Sequence, residues 1–278
     1  MRQKTTDFEA ASRPRGTSEA ARSLDPGPLR RTVLEGIDLV RRAFGSSARQ
    51  GLPRFRRLCA DLPRRVESPV FVKVGANDGL SGDPCSDILL ADPRWRGLLI
   101  EPVPYLVERL RRNFADADRF RIESVAIAAR PGRSTFYLLD PEAARARTDL
   151  PAWYDQIGSF DREHILRHLG AGAESLIRER EVEVVPLSAL LDRLDFPRPH
   201  LLHVDTEGFD LEVLRGLDFD RHGPLMILVE HKHLGETDRM AMRDLLRGRG
   251  YQVLDCGNDF YARHRSGCRR LRRESRSR

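Results

Sequence analysis

The segment that most constrains the fold of this chain is 70–79, where a short β-branched run passes directly into a glycine-rich turn. Its sequence is Val70-Phe71-Val72-Lys73-Val74-Gly75-Ala76-Asn77-Asp78-Gly79. Glycine is needed in such a turn where φ is positive or where a neighbouring group leaves no room for a Cβ atom. From this point strand-like runs alternate with helix-like runs. The alternation predicts an α/β fold, in which helices cover both faces of a parallel sheet.

The predicted elements follow this alternation along the chain. We predict parallel strands at Val70–Val74, Leu98–Glu101, Phe120–Ala126, Leu201–Asp205 and Leu225–Glu230. Helices are predicted at Ser86–Ala91, Tyr105–Phe114, Leu187–Leu194, Asp210–Gly216 and Thr237–Arg249. The runs Tyr251–Leu254 and Phe260–Ala262 flank the turn Gly257-Asn258-Asp259, which predicts a closing antiparallel hairpin. Ser134–Leu139 is a further candidate strand.

A carboxylate ends the second predicted strand. Glu101 follows the glycine-rich turn by about 20 residues, the spacing at which an acidic side chain meets the hydroxyls of a ribose. This spacing predicts a nucleoside cofactor. The dinucleotide fingerprint G-x-G-x-x-G needs its second glycine so that the backbone can touch a pyrophosphate. Asn77 occupies that position, which argues against a nicotinamide-dependent dehydrogenase.

The predicted strand at 201–205 also ends in an acidic residue. Asp205 closes this strand, whereas Asp210 and Glu212 lie in the first turn of the following helix. Acidic residues in a first helical turn are explained by their favourable interaction with the helix dipole. That explanation does not cover Asp205, which we therefore predict to be functional.

Size, hydropathy and cysteine content limit the class of protein. A chain of 278 residues, 40% of them hydrophobic, can bury one sizeable α/β core. No apolar run approaches the ~18 residues of a membrane span, and the first residues lack the apolar region of a secretory signal. The four cysteines form no C-x-x-C pair. This pattern argues against a disulfide framework and a zinc–cysteine site, and it predicts a cytoplasmic location.

The net charge of +6 is unevenly distributed. Residues 1–70 hold 15 Lys and Arg against 8 Asp and Glu, and residues 263–278 hold 8 against 1. The intervening residues 71–262 are acidic, with 25 against 33. Basic ends can bind nucleic acid or anionic surfaces, so a non-enzymatic binding protein is the alternative function. Solvated tails are the simpler explanation, and we expect no nucleic-acid partner.

These features divide the chain into four predicted parts. Residues 1–28 form a disordered basic tail, 29–68 a helical cap, 69–263 the α/β domain and 264–278 an arginine-rich disordered tail. In the cap we predict one helix at Leu29–Phe44 and another around Phe55–Leu62, separated by a break at Gly45–Pro53. Residues 140–185 interrupt the alternation and contain a predicted helix at Arg162–Leu169. An insertion of this length is typical of a lid or a substrate loop.

Several motifs occur along the chain in a specific order. They are Gly75-Ala76-Asn77-Asp78-Gly79, Glu101-Pro102-Val103-Pro104, Ser124-Val125-Ala126-Ile127-Ala128, Gly158-Ser159-Phe160, His203-Val204-Asp205-Thr206-Glu207-Gly208 and the strand that ends in Glu230. As a set they resemble the motifs of the FkbM family of S-adenosylmethionine-dependent methyltransferases, from about Val70 to Ala262. The resemblance implies a Rossmann-like class I methyltransferase fold. In that fold a mostly parallel seven-stranded sheet has an antiparallel last strand.

The resemblance also implies a reaction, a cofactor and a set of binding residues. The implied reaction is O-methylation of a saccharide or another small molecule, with S-adenosylmethionine as the methyl donor. The resemblance implies that Gly75, Asn77 and Gly79 line the methionine and ribose of the cofactor, and that Glu101 binds the ribose hydroxyls. It also implies that Val125 and Ala126 lie beside the adenine. Asp205 is implied to face the methionine amino group or the acceptor. The oligomeric state is not implied.

Transfer to a hydroxyl acceptor requires a base that removes the hydroxyl proton. Three candidates for this base cluster where the fifth parallel strand leaves the sheet. These are Glu230, His231 and His233. Histidine suits this role because its unperturbed pKa is near ~6.5. The alternative is that both histidines are ordinary surface-loop residues. With Asp205 the same cluster could hold a divalent cation, but nothing in the sequence requires a metal and we expect none.

Two further features have both a structural and a functional explanation. Lys73 lies one residue from the end of a strand buried on both faces, and a buried lysine is costly unless it is paired. We predict an ion pair with Glu101 or Asp205 on the flanking strands; the alternative is a catalytic role toward the cofactor carboxylate or the acceptor. In the insertion, four residues form either an acceptor wall or a packed cluster: Trp153, Tyr154, Phe160 and His164.

Overall fold

The computed structural model describes residues 48–116 and 118–267. The predicted N-terminal tail, the predicted helix that ends at Phe44 and most of the predicted C-terminal tail lie outside the described residues. The strands are β1 (Val70–Val74), β2 (Arg96–Ile100), β3 (Phe120–Glu123), β4 (Ala126–Ile127), β5 (Gly132–Leu139), β6 (Ile177–Val185), β7 (Leu201–Val204), β8 (Met226–Glu230), β9 (Tyr251–Asp255) and β10 (Asp259–His264). The α-helices are α1 (Ala48–Asp61), α2 (Ser86–Ala91), α3 (Pro104–Asn113), α4 (Pro141–Arg145), α5 (Arg162–Leu169), α6 (Leu187–Arg193), α7 (Asp210–Arg215), α8 (Phe219–His222) and α9 (Glu236–Gly248).

Seven strands form one sheet in the order β3-β2-β1-β7-β8-β10-β9. β1 pairs in parallel with β2 on one side and with β7 on the other, and β10 is antiparallel to both of its neighbours. The predicted α/β fold, a mostly parallel seven-stranded sheet with an antiparallel last strand, is therefore confirmed. The strand order reverses at β1. Ligands of open α/β sheets bind at such a reversal, outside the carboxyl ends of the strands.

Helices on both faces bury the central strand completely. All five residues of β1 are buried, and successive side chains point to opposite faces of the sheet. Phe71 packs with Trp95 and with Phe55 of α1 on one face. Val72 belongs to the core on the other face, which includes Met242 of α9. This packing holds β1 and the loop that follows it in a fixed position.

The predicted break at Gly45–Pro53 is wrong from Ala48 onward, because α1 runs through Pro53. Proline inside a helix removes one backbone hydrogen bond and crowds the carbonyl group four residues earlier. Phe55 and Cys59 of the same helix are fully buried, and this burial offsets the loss. The helix predicted around Phe55–Leu62 is confirmed as far as Asp61, after which the chain continues as a 3₁₀ turn.

A second sheet has three strands in the order β4-β6-β5. The predicted strand Phe120–Ala126 is wrong as a single element. It divides into β3 and β4, and β4 pairs with β6 instead of with the main sheet. Ser124 and Val125 carry the chain from one sheet to the other. The hydrophobic pattern does not predict β6, because most of its first half, at 177–181, is exposed and charged.

Residues 140–185 contain regular structure of their own. The predicted helix at Arg162–Leu169 is confirmed as α5, and the candidate strand Ser134–Leu139 lies within β5. β6 then returns the chain to the main fold. The division of the chain into tails, cap, domain and lid stays a prediction. Within the described ranges, no helix is long and apolar enough to cross a membrane.

Candidate active site

A cavity of about 640 Å³ opens at the carboxyl ends of β1, β2, β7 and β8. Most of the predicted cofactor residues line it: Gly75, Asn77, Glu101, Val125, Ala126 and Asp205. Gly79 is the exception and lies outside the lining. The candidate catalytic residues Lys73 and Glu230 line the same cavity. The structure therefore brings strand ends that are far apart in the sequence to a single site.

The carboxylate of Glu101 ties the glycine-rich loop to the end of β2. Its Oε2 atom accepts a hydrogen bond from the Asn77 N–H at 2.8 Å, and Oε1 accepts one from the Val103 N–H at 3.0 Å. Burial raises the pKa of Glu101 to about 7, although the two backbone N–H groups favour the charged form. Each carboxylate oxygen keeps a second acceptor position. Glu101 can therefore still bind hydroxyl groups in the cavity.

The glycine-rich loop follows a path that most side chains would block. Gly75 has a φ of +74°, and a Cβ atom there would lie 1.7 Å from the backbone oxygen of Asp205. Asn77 has a positive φ of 52°, which asparagine tolerates better than most residues. Gly79 packs against Phe114, where a Cβ atom would lie 2.3 Å from a ring carbon. Gly75 thus lets the loops after β1 and β7 approach each other, whereas Gly79 serves packing outside the cavity.

The predicted partner of Lys73 is wrong. Its ammonium group pairs with Asp83, in the loop between β1 and α2, and the two side chains are 6% and 0% exposed. Asp83 also accepts a hydrogen bond from the Cys85 N–H at 2.8 Å, and His203 Nδ1 lies 3.3 Å from its Oδ2 atom. Burial opposes both charges, but their attraction outweighs it. The pKa of Lys73 is therefore raised, and that of Asp83 lies well below its usual value.

The loop after β7 is anchored by Asp210. Its carboxylate accepts hydrogen bonds from the Thr206 N–H at 3.0 Å and from the Gly208 N–H at 3.2 Å. Burial, together with the nearby charge of Asp205, raises the pKa of Asp210 to about 7. Asp210 is explained by its favourable interaction with the helix dipole, but its carboxylate also anchors this loop. The anchored loop holds Glu207 at a φ of 52°, a conformation that is uncommon for a residue other than glycine.

Three imidazoles and one carboxylate meet beside the cavity. Glu207 Oε2 lies 3.0 Å from His164 Nε2 and 3.0 Å from His233 Nε2. The ring centroids of His164, His168 and His233 are 4.4–4.9 Å apart. Burial alone would raise the pKa of Glu207, but the hydrogen bond from His164 and the closeness of His233 lower it to about 2. His168 and Glu207 are not among the predicted site residues, although the four-residue spacing of His168 from His164 is a local signal.

The structure separates the three candidate bases. His231 packs on Phe260 with ring centroids 4.1 Å apart, and its Nε2 atom lies 3.5 Å from Asp255, outside the cavity lining. His233 instead lies among the other histidines, 3.7 Å from Glu230 Oε2. Both histidine side chains are buried, so their interpretation as ordinary surface-loop residues is wrong.

Glu230 lines the cavity with an oxygen atom that lacks a hydrogen bond. This atom, Oε2, is buried and has no hydrogen-bond partner among the described residues. Burial and the nearby charges of Asp205 and Glu207 raise the pKa of Glu230 well above its usual value. Burial and Glu207 raise the pKa of Asp205 as well. This end of the cavity is therefore rich in carboxyl groups, which favours a positively charged or proton-donating ligand.

Residues 140–185 supply one wall of the cavity. Trp153 and Phe160 line it, whereas Tyr154 and His164 do not. Tyr154 packs in an apolar cluster within the insertion, and the His164 ring contacts Glu207. Of the four residues predicted to form either a wall or a packed cluster, two therefore face the cavity and two pack beside it.

Comparison with known protein families gives one match that covers most of the chain. Residues 73–253 match the family model described as Methyltransferase FkbM domain. That range includes the glycine-rich loop, Glu101, the loop after β7 and the histidines beside the cavity. No curated protein sequence matches the chain.

Solved structures that resemble the chain include three proteins of low sequence identity. Precorrin-6y C5,15-methyltransferase from Geobacter metallireducens GS-15 is 13% identical with a TM-score of 0.37, over 74% of this chain and 84% of that one. The fibrillarin pre-rRNA processing protein of Methanococcus jannaschii is 8% identical with a TM-score of 0.40, over 72% and 68%. Cofactor-bound Rv0187 from MTB is 16% identical with a TM-score of 0.39, over 86% and 90%.

Proposed function

We propose that this chain, which belongs to the FkbM methyltransferase family, transfers a methyl group from S-adenosylmethionine to a hydroxyl oxygen of a saccharide or another small molecule. The observation that carries the proposal is the position of Glu101, whose carboxylate lines the cavity while it fixes the glycine-rich loop. An acidic side chain at the end of the second strand is the group that binds ribose hydroxyls in nucleoside-binding α/β folds.

The residues of the cavity fit S-adenosylmethionine. When bound, this cofactor supplies an electrophilic methyl group on a positively charged sulfur and leaves as a neutral thioether. Val125 and Ala126 offer an apolar surface to an adenine ring. Asp205 offers a carboxylate to an amino group, and Glu230 keeps a buried oxygen atom that no described residue satisfies. A cavity rich in carboxyl groups thus suits a positively charged cofactor.

Methyl transfer is an in-line displacement, so the main task of the protein is to align the two reactants. Bound in this cavity, the cofactor would supply its methyl group to the acceptor oxygen and leave as a neutral thioether, and the hydroxyl proton would pass to a base. We assign the role of base to Glu230, since it lines the cavity and its Oε2 atom has no competing hydrogen bond within the described residues. His233, 3.7 Å away, can position this carboxylate. Lys73 is held by Asp83 and supports the cavity wall.

The wall formed by residues 140–185 suits an acceptor that has both an apolar face and hydroxyl groups. Trp153 and Phe160 contribute aromatic rings to the cavity, and Lys232 and Asn258 add hydrogen-bond donors. Aromatic surfaces with a few convergent polar groups are typical of small-molecule sites. A saccharide or a hydroxylated natural product has both features.

Titration calorimetry with S-adenosylhomocysteine, the demethylated product, tests this proposal. We expect micromolar binding to the wild type and at least about tenfold weaker binding to Glu101→Gln, or ~1.4 kcal/mol for a lost hydrogen bond to a charged group. The matched control is Glu108→Gln, on the exposed face of α3, which should bind like the wild type. Absence of binding to the wild type would contradict the proposal, and so would an unchanged affinity in Glu101→Gln.

A further inference from the structure

We propose that His164, His168, His233 and Glu207 form a binding site for a divalent first-row transition-metal cation, with zinc as the ion to test. The site lies at the wall of the cavity, because His168 and Glu207 are among the residues that line it. The first two histidines belong to α5, Glu207 to the loop after β7, and His233 to the segment after β8. Four side chains from three separate segments thus converge.

The distances between the ligand atoms suit a metal ion. One ligand atom from each of the three histidines lies within 4.8 Å of the other two. Glu207 Oε2 is 3.0 Å from the Nε2 atoms of both His164 and His233. In a tetrahedral zinc site with bonds of about 2.0–2.2 Å, neighbouring ligand atoms lie about 3.3–3.6 Å apart. Small side-chain rotations therefore bring these atoms to bonding distance of one ion.

The two histidines of α5 have the spacing of metal ligands, and His168 also has the ring orientation that metal ligands usually have. His164 and His168 are four residues apart and so share one face of the helix, the spacing at which helices present two histidines to zinc. The Nδ1–H group of His168 donates a hydrogen bond to the backbone oxygen of His164 at 2.8 Å. That bond leaves the Nε2 lone pair free. A carbonyl acceptor of this kind commonly fixes the ring of a ligating histidine.

His233 gives an independent indication of a missing ligand. Its side chain is 8% exposed, and its Nε2 atom forms no hydrogen bond of acceptable geometry with any described residue, although Glu207 is 3.0 Å away. Glu230 Oε2, 3.7 Å from the same nitrogen, is buried and equally unsatisfied within the described ranges. Unpaired buried polar atoms are rare because they cost free energy. A cation between the imidazole and the carboxylates would satisfy these groups together.

The set of donor atoms indicates the kind of cation. Three imidazoles with one carboxylate favour zinc and its neighbours, whereas magnesium and calcium prefer oxygen ligands. A second group of possible ligands, Asp83, Cys85 and His203, is not part of the proposal. Its carboxylate is already neutralised by Lys73.

A cation at this wall would also act on the proposed reaction, and this role rests on the proposed function. A tetrahedral ion held by four protein ligands has no open position for an acceptor hydroxyl. The cation would therefore act on the reaction by fixing α5 against the segments after β7 and β8, and so by holding His233 in place 3.7 Å from Glu230. Binding of the cation itself does not depend on methyl transfer and can be measured alone.

Titration of the full chain with zinc chloride, after treatment with a chelator, tests the site by calorimetry. We expect one zinc ion per chain in the wild type and at least about 100-fold weaker binding in His168→Ala, because even outer-shell changes weaken metal sites by about 10–100-fold. His168 is half-buried, and circular dichroism verifies that the variant is folded. The matched control is His222→Gln. His222 of α8 contacts Asp192 outside the cavity lining, so this variant should bind zinc like the wild type.

Cobalt provides a second measurement that needs only the wild type. Cobalt(II) in a tetrahedral site gives visible absorption bands, and excess zinc should remove them. The proposal is overturned if the wild type takes up neither ion, or if His168→Ala binds zinc as tightly as the wild type. Titration of the same samples with S-adenosylhomocysteine separates the two proposals. Retained nucleoside binding without zinc binding would reject the metal site alone.

Discussion

Replacement of Asp83 by alanine is expected to lower the free energy of unfolding by about 3–5 kcal/mol, because it leaves the buried ammonium group of Lys73 without its partner. Lys73 lies on the central strand β1 with a side chain that is 6% exposed, so water cannot replace the lost carboxylate. The change also removes the acceptor of the Cys85 N–H. Urea unfolding followed by circular dichroism measures the loss as a lower midpoint at an unchanged slope.

An exposed ion pair provides the control for this experiment. Glu181 pairs with Arg133 across β5 and β6, and their side chains are 59% and 65% exposed. Exposed pairs contribute little to stability because water screens them. Glu181→Ala should therefore leave the unfolding midpoint nearly unchanged. If Asp83→Ala and Glu181→Ala lowered the free energy of unfolding equally, burial would not explain the effect of losing Asp83.

Gly75→Ala is expected to lower the free energy of unfolding by about 2–4 kcal/mol and to abolish binding of S-adenosylhomocysteine. A Cβ atom at this position would lie 1.7 Å from the backbone oxygen of Asp205 and 2.8 Å from its carbonyl carbon. Backbone atoms cannot rotate aside as the end of a flexible side chain can, so the loops after β1 and β7 would have to separate. That movement would pull the Asn77 N–H away from Glu101 and disrupt the side of the cavity that we propose to bind the cofactor.

Gly132→Ala controls for the loss of a glycine as such. Gly132 begins β5, and a Cβ atom there would meet nothing within 4 Å. The unfolding midpoint of the Gly132→Ala protein and its affinity for S-adenosylhomocysteine should match those of the wild type. A Gly75→Ala protein with the same stability and affinity as this control would be incompatible with the close approach of the two loops.

The part of the site that sequence analysis predicts is formed by strand ends. Gly75, Glu101 and Asp205 each follow a buried strand directly, and parallel strands bring their carboxyl ends to one edge of a sheet. Strands leave a local signal in their hydrophobic pattern, and so the sheet and these three residues can be placed from the sequence. All three line the cavity.

Each of the contacts that the sequence does not predict has one partner in an irregular segment. Asp83 lies ten residues after Lys73 in a loop, where no periodic pattern determines which carboxylate reaches a buried lysine. The contact between His164 and Glu207 joins positions 43 residues apart. Such contacts depend on the path that a loop takes through space. Secondary-structure propensity and residue spacing carry little information about that path. The histidine spacing on α5 is visible in the sequence, but its carboxylate partner is not.

The second sheet determines how a chain of this kind can change in evolution. β4 leaves the main fold and β6 returns to it as its parallel neighbour, with Ala126 opposite Val184 and Ile127 opposite Val185. Residues 128–183, which include Trp153, the histidines of α5 and most of β6, therefore begin and end at one place beside the α/β core. A segment with adjacent ends can be lengthened, shortened or exchanged at little cost to the structure that bears it. Under the proposed function, exchange of this segment would change the acceptor, while β1 and β2 with the glycine-rich loop and Glu101 would stay unchanged.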